Sequence, residues 1–309
     1  WVFCKHKERD TYEVPGGHRE TGENILETAK RELQEETGAV KYEIKPICVY
    51  SVIGKTRVNN TGEETFGMLY FAEINEFAKE LHSEMEKVIL MDELPENWTY
   101  PLIQPKLIEK YMQIEKQSYS RIQLAAKQTI EYIKKIIKPG MNLLEIRKFC
   151  EEKLLESGAD SFWYWDVGAF VFAGDETCVS VSGKQYVTSD RVIGNNEIIT
   201  IDLSPQVGNI WGDYARTIIV ENGMVVENIG LIENPEWKSG LQMEEKLHAE
   251  LLRFATKETT LEKLYYHMNE FIVENGFVNL DFMGNLGHSI VKTKGDRVYI
   301  EKGNMTKLA

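Results

Sequence analysis

The sequence predicts an α/β protein that is built from two domains. Near the start of the chain, a short strand-like segment ending at Val14 leads through a glycine turn into a long helical segment. Helical periodicity restarts at Tyr119, and β-rich segments dominate after Gly158. With 309 residues, of which 42% are hydrophobic, the chain is long enough to bury two cores of moderate size.

The net charge of the chain limits which classes of binding partner are expected. The net charge of -13 argues against a protein that grips nucleic-acid polymers through a broad basic face. A small anionic substrate remains compatible with this charge, because a bound divalent metal would supply local positive charge. We therefore expect a small-molecule partner and no nucleic-acid polymer.

The cysteines and the apolar segments indicate the compartment. Cys4, Cys48, Cys150 and Cys178 are scattered without a C-x-x-C pair, which is typical of thiols in a reducing compartment. The sequence contains neither an apolar run of membrane-spanning length nor a signal peptide. We expect a cytoplasmic protein that makes no membrane contact.

The first fourteen residues are predicted to form two strands joined by a polar turn at residues 7–10. Pro15, Gly16 and Gly17 follow, and paired glycines allow a tight turn whose backbone can approach a metal or a ligand closely. A helix is predicted over Asn24 to Thr37, because the segment contains good helix formers and Gly38 follows as a stop.

This helix has two edges of different character. Leu26, Ala29 and Leu33 form an apolar stripe that is expected to face a core. Glu32, Glu35 and Glu36 fall within an arc of roughly 100° on the neighbouring edge. Three carboxylates so close together repel one another unless a cation lies among them, and hard oxygen ligands suit Mg²⁺ or Mn²⁺. The alternative is a solvated glutamate-rich face.

The spacing from Gly17 through Glu23 and Arg31 to Gly38 fills every fixed position of the Nudix box, and the first domain resembles the Nudix hydrolases. The resemblance implies an α/β/α sandwich. It also implies that Glu32, Glu35 and Glu36, joined by a backbone carbonyl of Gly16, hold a divalent metal, with Glu23 and Arg31 in supporting roles. The activity implied is cleavage of a nucleoside di- or triphosphate derivative, for example an oxidised deoxynucleotide such as 8-oxo-dGTP.

Two further assignments near the box stay open. His18 follows the glycines where some Nudix hydrolases carry a lysine, and it is either a contact to the substrate or a solvated loop histidine. These enzymes often recruit another carboxylate from outside the box, for which Glu63, Glu64 and Glu93 are the candidates.

The rest of the first domain is predicted from periodicity. Its elements are strands over 42–53, 64–74 and 87–91 and a helix over 102–114. The polar run Gln113 to Ser118 then predicts a linker, so the domains are expected to cover 1–114 and 115–309. In the second domain we expect helices over 122–137 and 142–157 and strands over 167–173, 178–182, 198–206 and 213–220.

Two of those predicted strands carry an aspartate at or near one end. Asp202 ends one apolar run and Asp213 begins another eleven positions later. On adjacent antiparallel strands this spacing can place the two carboxylates side by side. The aromatic run Trp163, Tyr164 and Trp165 either lines a pocket or packs in the core.

The segments around Asp202, Asp213 and Gly287-His288-Ser289 resemble the pita-bread metallopeptidases, the methionine aminopeptidase and aminopeptidase P group. The resemblance implies an α+β pita-bread domain in which Asp202, Asp213 and His288 ligate a divalent metal. Two further glutamate ligands would lie beyond the last residue, so this domain is expected to be incomplete at its C-terminus. A histidine that the family uses upstream of the first aspartate has no counterpart, because the chain has no histidine between His82 and His248.

The function predicted from sequence is thus a Mg²⁺-dependent Nudix hydrolase that acts on a phosphoric anhydride bond of a small nucleotide. The alternatives are a metal-dependent aminopeptidase in the second domain and a non-catalytic, peptide-binding pita-bread module. The chain could also pair as a homodimer.

Overall fold

A computed structural model of the chain describes residues 1–55, 60–78, 85–281, 283–291 and 294–308. The chain divides into two compact units, Trp1–Lys116 and Gln117–Ala309. The helices and strands of the first unit, together with the helix that leaves it, are β1 (Val2–His6), β2 (Tyr12–Glu13), α1 (Ile25–Thr37), β3 (Ala39–Val52), β4 (Thr65–Phe77), β5 (Met85–Leu90) and α2 (Gln104–Ile136).

The strands of the first unit form two separate sheets in the described residues. β1 pairs antiparallel with both β2 and β5, in the order β2-β1-β5. β3 and β4 pair only with each other, from Ala39 opposite Phe77 to Val52 opposite Thr65. The predicted strands are therefore present, although they do not join into one sheet.

α1 begins and ends where the sequence predicts. Asn24 is the N-cap, and its side chain accepts from the backbone N–H of Glu27 while the Glu27 side chain accepts from the N–H of Asn24. Gly38 ends the helix in the left-handed conformation with φ 69°. The buried face differs from the expected stripe, because Leu26 is exposed and Thr28 is buried beside Leu33.

The predicted linker at residues 113–118 is wrong. α2 runs without interruption from Gln104 to Ile136, and the boundary between the two units falls within it. The polar run contains glutamine, glutamate, lysine and isoleucine with neither glycine nor proline, so nothing in it breaks a helix. Its polarity reflects exposure to solvent rather than a loop.

The second unit combines helices with short strands. Its elements after α2 are α3 (Leu143–Glu156), β6 (Ser161–Phe162), β7 (Ala169–Ala173), β8 (Glu197–Leu203), β9 (Pro205–Val207), β10 (Ile210–Trp211), β11 (Tyr214–Glu221), β12 (Met224–Val225), α4 (Pro235–Phe254) and α5 (Leu261–Glu274). The main sheet has the order β12-β11-β8-β7, and a smaller one has the order β10-β9-β6.

The core of the second unit lies between this main sheet and two helices. Ile130 and Ile133 of α2 and Ile146 of α3 are almost completely buried, as are Ile199 and Ile201 of β8. The isoleucines of α2 are spaced so that they fall on one buried face of the helix. Burial of this face fixes the inner side of β8, so alternate residues such as Asp202 point away from the core.

The strand predicted over 178–182 is wrong. Residues Gly174–Cys178 form a 3-10 helix, and no strand follows before residue 197 in this part of the described chain. At the β7 edge, the Tyr186 hydroxyl accepts from Val171 N at 2.7 Å and donates to Val171 O at 3.1 Å. Because a side chain takes these groups, the edge has less backbone to offer a further strand.

Among the helices that the structure describes, none combines the length and the apolar character that a bilayer crossing requires. Cys4, Cys48, Cys150 and Cys178 are all free thiols.

Candidate functional site

The glycine turn after β2 and the carboxylates of α1 lie against each other. The backbone N–H of Gly16 donates to Oε2 of Glu36 at 3.0 Å. Glu36 is only 8% exposed, and its own backbone carbonyl accepts a hydrogen bond from Sγ of Cys4 at 3.5 Å. Burial raises the pKa of the Cys4 thiol, so it stays protonated and can donate. Strand β1 thereby holds the end of α1 at the turn.

Gly17 forms the second close contact between the glycine turn and α1. A Cβ atom placed on Gly17 would overlap the carboxylate of Glu32. The side chain of Glu32 is 14% exposed, and its carboxylate lies close to the backbone at a position where a glycine leaves room for it. Glu32 and Glu36 are therefore both located at the turn.

Glu35 occupies a more open position. Its side chain is 55% exposed, and Oε2 lies 3.2 Å from Nη1 of Arg31. The same guanidinium nitrogen is 2.8 Å from Oε1 of Glu32. Arg31 is thus the internal cation that separates two of the three carboxylates.

Arg31 and Glu23 form the strongest ion pair of this site. Nε of Arg31 donates to Oε1 of Glu23 at 2.7 Å, and Nη2 donates to Oε2 at 3.2 Å. This pairing, followed by a hydrogen bond from the Glu20 backbone N–H, lowers the pKa of Glu23 to about 2. The carboxylates of Glu23 and Glu32 raise the pKa of Arg31 in turn. Both groups are charged at neutral pH.

Sequence reasoning missed one buried member of this network. Thr28 is 3% exposed, and its hydroxyl donates to Oε2 of Glu23 at 2.9 Å. A threonine on the core-facing side of an amphipathic helix breaks the apolar pattern, which is the signal that could have identified it. Glu23 is therefore held from both sides, by Thr28 and by Arg31.

His18 contributes its backbone to the site. The His18 carbonyl accepts from Nη2 of Arg31 at 3.1 Å, while the residue itself is exposed. Glu63, Glu64 and Glu93, the carboxylates considered outside the box, are likewise exposed. The contact to His18 ties the loop after the glycines to α1.

The donor set fits a hard divalent cation in its chemistry. Two carboxylates of the α1 edge contact the glycine turn and Glu35 lies on the same helix, and hard oxygen donors are the preferred ligands of Mg²⁺ and Mn²⁺. Within the described parts of the chain, no three acidic, histidine or cysteine side chains converge as closely as a metal site requires. In this arrangement Arg31 engages Glu32 and Glu35, while the Gly16 N–H engages Glu36.

In the second unit, the structure brings together the three residues that the sequence singled out. Asp202 lies on β8 between Phe170 of β7 and Ala215 of β11. Asp213 directly precedes β11, and its Oδ2 is 3.3 Å from Nε2 of His288. Asp213 is therefore the shared neighbour in this cluster, because its carboxylate lies beside Asp202 and beside the imidazole of His288.

The pKa values of Asp202 and His288 in this cluster are raised by different causes. Asp202 is accessible to solvent, yet desolvation by the surrounding protein and the nearby Asp213 carboxylate raise its pKa well above the usual range. The hydrogen bond to Asp213 raises the pKa of His288, and desolvation opposes that rise.

Aromatic side chains surround His288. The ring centroids of Trp163, Trp211 and Tyr299 lie 5.8, 5.9 and 5.6 Å from that of the imidazole. Trp163 is 8% exposed, and its Nε1 donates to the Gly212 carbonyl at 2.8 Å, next to Asp213. Trp163 is thus a core residue that also borders the cluster, which combines both interpretations of the aromatic run.

Comparison with known proteins assigns both units. The family model of the NUDIX domain matches residues 2–110. The model of metallopeptidase family M24 matches residues 117–308, which is more than half of the chain. The chain belongs to metallopeptidase family M24. A NUDIX domain precedes the metallopeptidase domain, as the two resemblances implied.

Individual relatives match each domain separately. The NUDIX domain is 38% identical over 98 residues to a Bacillus subtilis (strain 168) protein assigned as an 8-oxo-dGTP diphosphatase, YtkD, covering 31% of this chain and 58% of the relative. A Bacillus subtilis pyrophosphohydrolase of known structure is 30% identical, covering 37% of this chain and 73% of its own, with a TM-score of 0.31.

The metallopeptidase domain is similar to an X-Pro aminopeptidase from Thermotoga maritima. The TM-score is 0.51 at 19% identity, over 63% of this chain and 51% of that one. This likeness shows the fold of the second domain. The two family models confirm the predicted order of a Nudix fold followed by a pita-bread fold. The chain covers 58% of the length of the Bacillus subtilis relative and 51% of the length of the Thermotoga maritima aminopeptidase.

Proposed function

We propose that the NUDIX domain is a pyrophosphohydrolase that uses Mg²⁺ or Mn²⁺ to cleave a small nucleotide, with an oxidised deoxynucleoside triphosphate such as 8-oxo-dGTP as its substrate. The observation that carries the proposal is the contact of two box carboxylates with the glycine turn, Glu36 with Gly16 and Glu32 with Gly17. This arrangement gathers oxygen donors around backbone that a phosphate can approach.

Glu32, Glu35 and Glu36 would hold the cation, joined by the carbonyl of Gly16. When bound, a divalent cation lowers the pKa of a water ligand and offsets charge on the attacked phosphate. The exposed side chain of Glu35 can turn from Arg31 toward an incoming ion. Glu36 is held in place by the Gly16 N–H and needs no such rotation.

Arg31 and Glu23 orient the carboxylate edge. Arg31 spans from Glu23 to Glu32 and Glu35 and also reaches the His18 carbonyl, so it connects the turn, the loop and the helix. Because Glu23 stays ionised down to about pH 2, this connection persists throughout the physiological range. The His18 imidazole, which is exposed beside the turn, is proposed to contact a substrate phosphate.

The substrate class is supported by similarity and by charge. The matched Bacillus subtilis relative is assigned as an 8-oxo-dGTP diphosphatase, at 38% identity to this domain. The net charge of -13 disfavours polymeric nucleic acid, whereas a metal-bound nucleotide carries its own counter-charge. Four unpaired thiols fit a reducing cytoplasm.

A hydrolysis assay on a nucleotide panel tests this proposal. Purified chain is incubated with the four normal deoxynucleoside triphosphates, 8-oxo-dGTP and ADP-ribose, with Mg²⁺ and with chelator, and released phosphate and pyrophosphate are quantified. The proposal expects metal-dependent release that is fastest for 8-oxo-dGTP. Absence of release from every nucleotide in Mg²⁺ and in Mn²⁺ would remove it.

The metallopeptidase domain supports a second candidate function. Asp213 is a neighbour of both Asp202 and His288, and aromatic rings surround the imidazole of His288. This favours a divalent-metal site that binds the N-terminal part of a peptide. Cleavage would make the domain an aminopeptidase, and binding without cleavage would make it a recognition module.

Metal titration followed by peptide assays separates these outcomes. Asp213→Asn is compared with Asp190→Asn, a control at an exposed aspartate remote in sequence from the cluster. The peptidase is supported if Asp213→Asn, but not Asp190→Asn, loses one equivalent of bound metal and the wild-type chain cleaves short peptides. Peptide binding without turnover supports the recognition module, and an unchanged metal content with no peptide binding removes both.

A further inference from the structure

Gln104, the first residue of α2, has a buried amide oxygen that lacks a hydrogen-bond donor. The residue is 8% exposed, and its Nε2 donates to the carbonyl of Val14 at 3.3 Å. Its Oε1 is shielded from solvent and has no partner among the described residues. Because a carbonyl can only accept, the amide nitrogen has to face Val14, and this leaves Oε1 as an unused acceptor.

Buried acceptors without donors are rare in native proteins, and each one calls for an explanation. Gln123 and Gln206 share the feature, but both are partly exposed and belong to the second unit. Gln104 is more than nine-tenths buried. An acceptor kept out of water without a donor costs free energy, which a donor supplied by a ligand would recover.

The position of Gln104 connects it to the proposed cation site. Val14, its partner, immediately precedes Pro15 and the glycine turn, in which Gly16 holds Glu36. The backbone N–H of Gln104 donates to the carbonyl of Tyr100 at 3.0 Å. The N–H of Tyr12 in β2 donates to the carbonyl of Asn97, and the N–H of Thr99 donates to the carbonyl of Tyr12. The segment that leads into α2 therefore runs beside β2, the strand that precedes the glycine turn.

We propose that Gln104 reads the nucleobase of the substrate, with Oε1 accepting a hydrogen bond from the N–H at position 7 of an oxidised guanine. The inference rests on the nucleotide hydrolase function proposed above and names the residue that selects its substrate. Guanine carries a lone pair at position 7, whereas 8-oxoguanine carries N–H there. An acceptor therefore attracts the oxidised base and repels the normal one. Since Oε1 is closed off from solvent, base binding includes a local shift of the groups that cover it.

Equilibrium binding tests the inference independently of catalysis. The Kd values of 8-oxo-dGTP, dGTP and 7-deaza-dGTP are measured in Ca²⁺ for the full chain, for Gln104→Leu and for Gln113→Leu. Gln113 is an exposed glutamine on the same helix and provides a matched control. Melting curves report whether each variant is folded, and hydrolysis in Mg²⁺ is recorded in parallel.

The wild-type chain is expected to bind 8-oxo-dGTP most tightly, 7-deaza-dGTP less tightly and dGTP least, because position 7 changes from donor to neutral to acceptor. Gln104→Leu should reduce the dGTP to 8-oxo-dGTP ratio of Kd values about tenfold, which corresponds to the loss of one hydrogen bond to a buried partner. Gln113→Leu should keep the ratio. If Gln104 had a purely structural role, Gln104→Leu would weaken the binding of all three nucleotides equally.

The outcomes separate this inference from the proposed activity. If hydrolysis occurs and Gln104→Leu leaves the ratio unchanged, base reading is wrong and the activity stands. If the order of Kd values holds and Gln104→Leu reduces the ratio, but no hydrolysis occurs, the activity is wrong and base reading stands. Equal wild-type affinities for the three nucleotides overturn base reading even when Gln104→Leu fails to fold, and no nucleotide binding at all overturns both.

Discussion

Gly16 donates its backbone N–H to Oε2 of Glu36 at 3.0 Å, and this contact fixes the end of α1 to the turn that follows β2. Glu36 is nearly buried there, so its carboxylate has little freedom to move away. Gly17 leaves room for Glu32 immediately beside it. The two glycines therefore have different tasks, since one donates a hydrogen bond and the other provides space.

This difference predicts unequal effects of alanine at the two glycines. Gly17→Ala should displace the Glu32 carboxylate and weaken Mn²⁺ binding by about tenfold or more, because a metal site tolerates little misplacement of a ligand. Gly16→Ala has open space around the added methyl group and should produce the smaller loss. Titration with Mn²⁺, followed by electron paramagnetic resonance, measures both affinities. Equal losses in the two variants would contradict the spatial role of Gly17.

The Glu23–Arg31 pair predicts how acid affects stability. The folded protein lowers the pKa of Glu23 from its ordinary 4.5 to about 2. The stabilisation from this pair is therefore complete above pH 4.5 and is lost as pH falls from 4.5 toward 2. The difference in urea midpoint between wild type and Glu23→Gln should be constant near neutrality and shrink across that window. A difference that grows as pH falls would reverse the predicted sign.

The continuity of α2 can be tested at its exposed midpoint. Gln117→Pro removes a backbone donor in the interior of this helix and should destabilise it by about 3 kcal/mol. Gln117→Ala keeps the helix and should change stability by less than about 0.5 kcal/mol. Circular dichroism and urea unfolding provide the measurements. Tolerance of proline at this position would restore the flexible linker that the sequence alone suggested.

Trp163 offers a test in the metallopeptidase domain. Trp163→Phe removes the Nε1 donor from the carbonyl of Gly212 and should destabilise the protein by about 1–3 kcal/mol, because a buried acceptor loses its partner. Trp165→Phe, in the same segment, changes a side chain that is 56% exposed and should have an effect below about 0.5 kcal/mol. Urea unfolding compares the two. Similar effects from both substitutions would show that the bond to Gly212 contributes little.

Local signals were sufficient to predict the ends of α1 and the edge of the helix on which its carboxylates lie. Asn24 and Gly38 mark the two ends of α1, and the structure places the helix between them. The spacing of Glu32 and Glu36 put both on the edge that meets the glycine turn. Such features depend on a few neighbouring residues, so the sequence carries them directly.

Long-range contacts were harder to predict. The hydroxyl of Thr28 and the amide of Gln104 acquire their roles from partners that lie in other segments, Glu23 and Val14. The error at residues 113–118 had another cause, because polar composition was taken as loop although every residue there tolerates a helix. Pattern alone also could not show that Tyr186 occupies the β7 edge.

The central claim is that the carboxylates of α1 carry nucleotide hydrolysis. Turnover of 8-oxo-dGTP in saturating Mg²⁺ is measured for Glu36→Gln, with Glu8→Gln as a control at an exposed glutamate away from the box. The account predicts that Glu36→Gln lowers kcat by about 100-fold or more, because the amide removes an anionic ligand at the cation, while Glu8→Gln keeps the wild-type rate. Wild-type turnover in Glu36→Gln would contradict it.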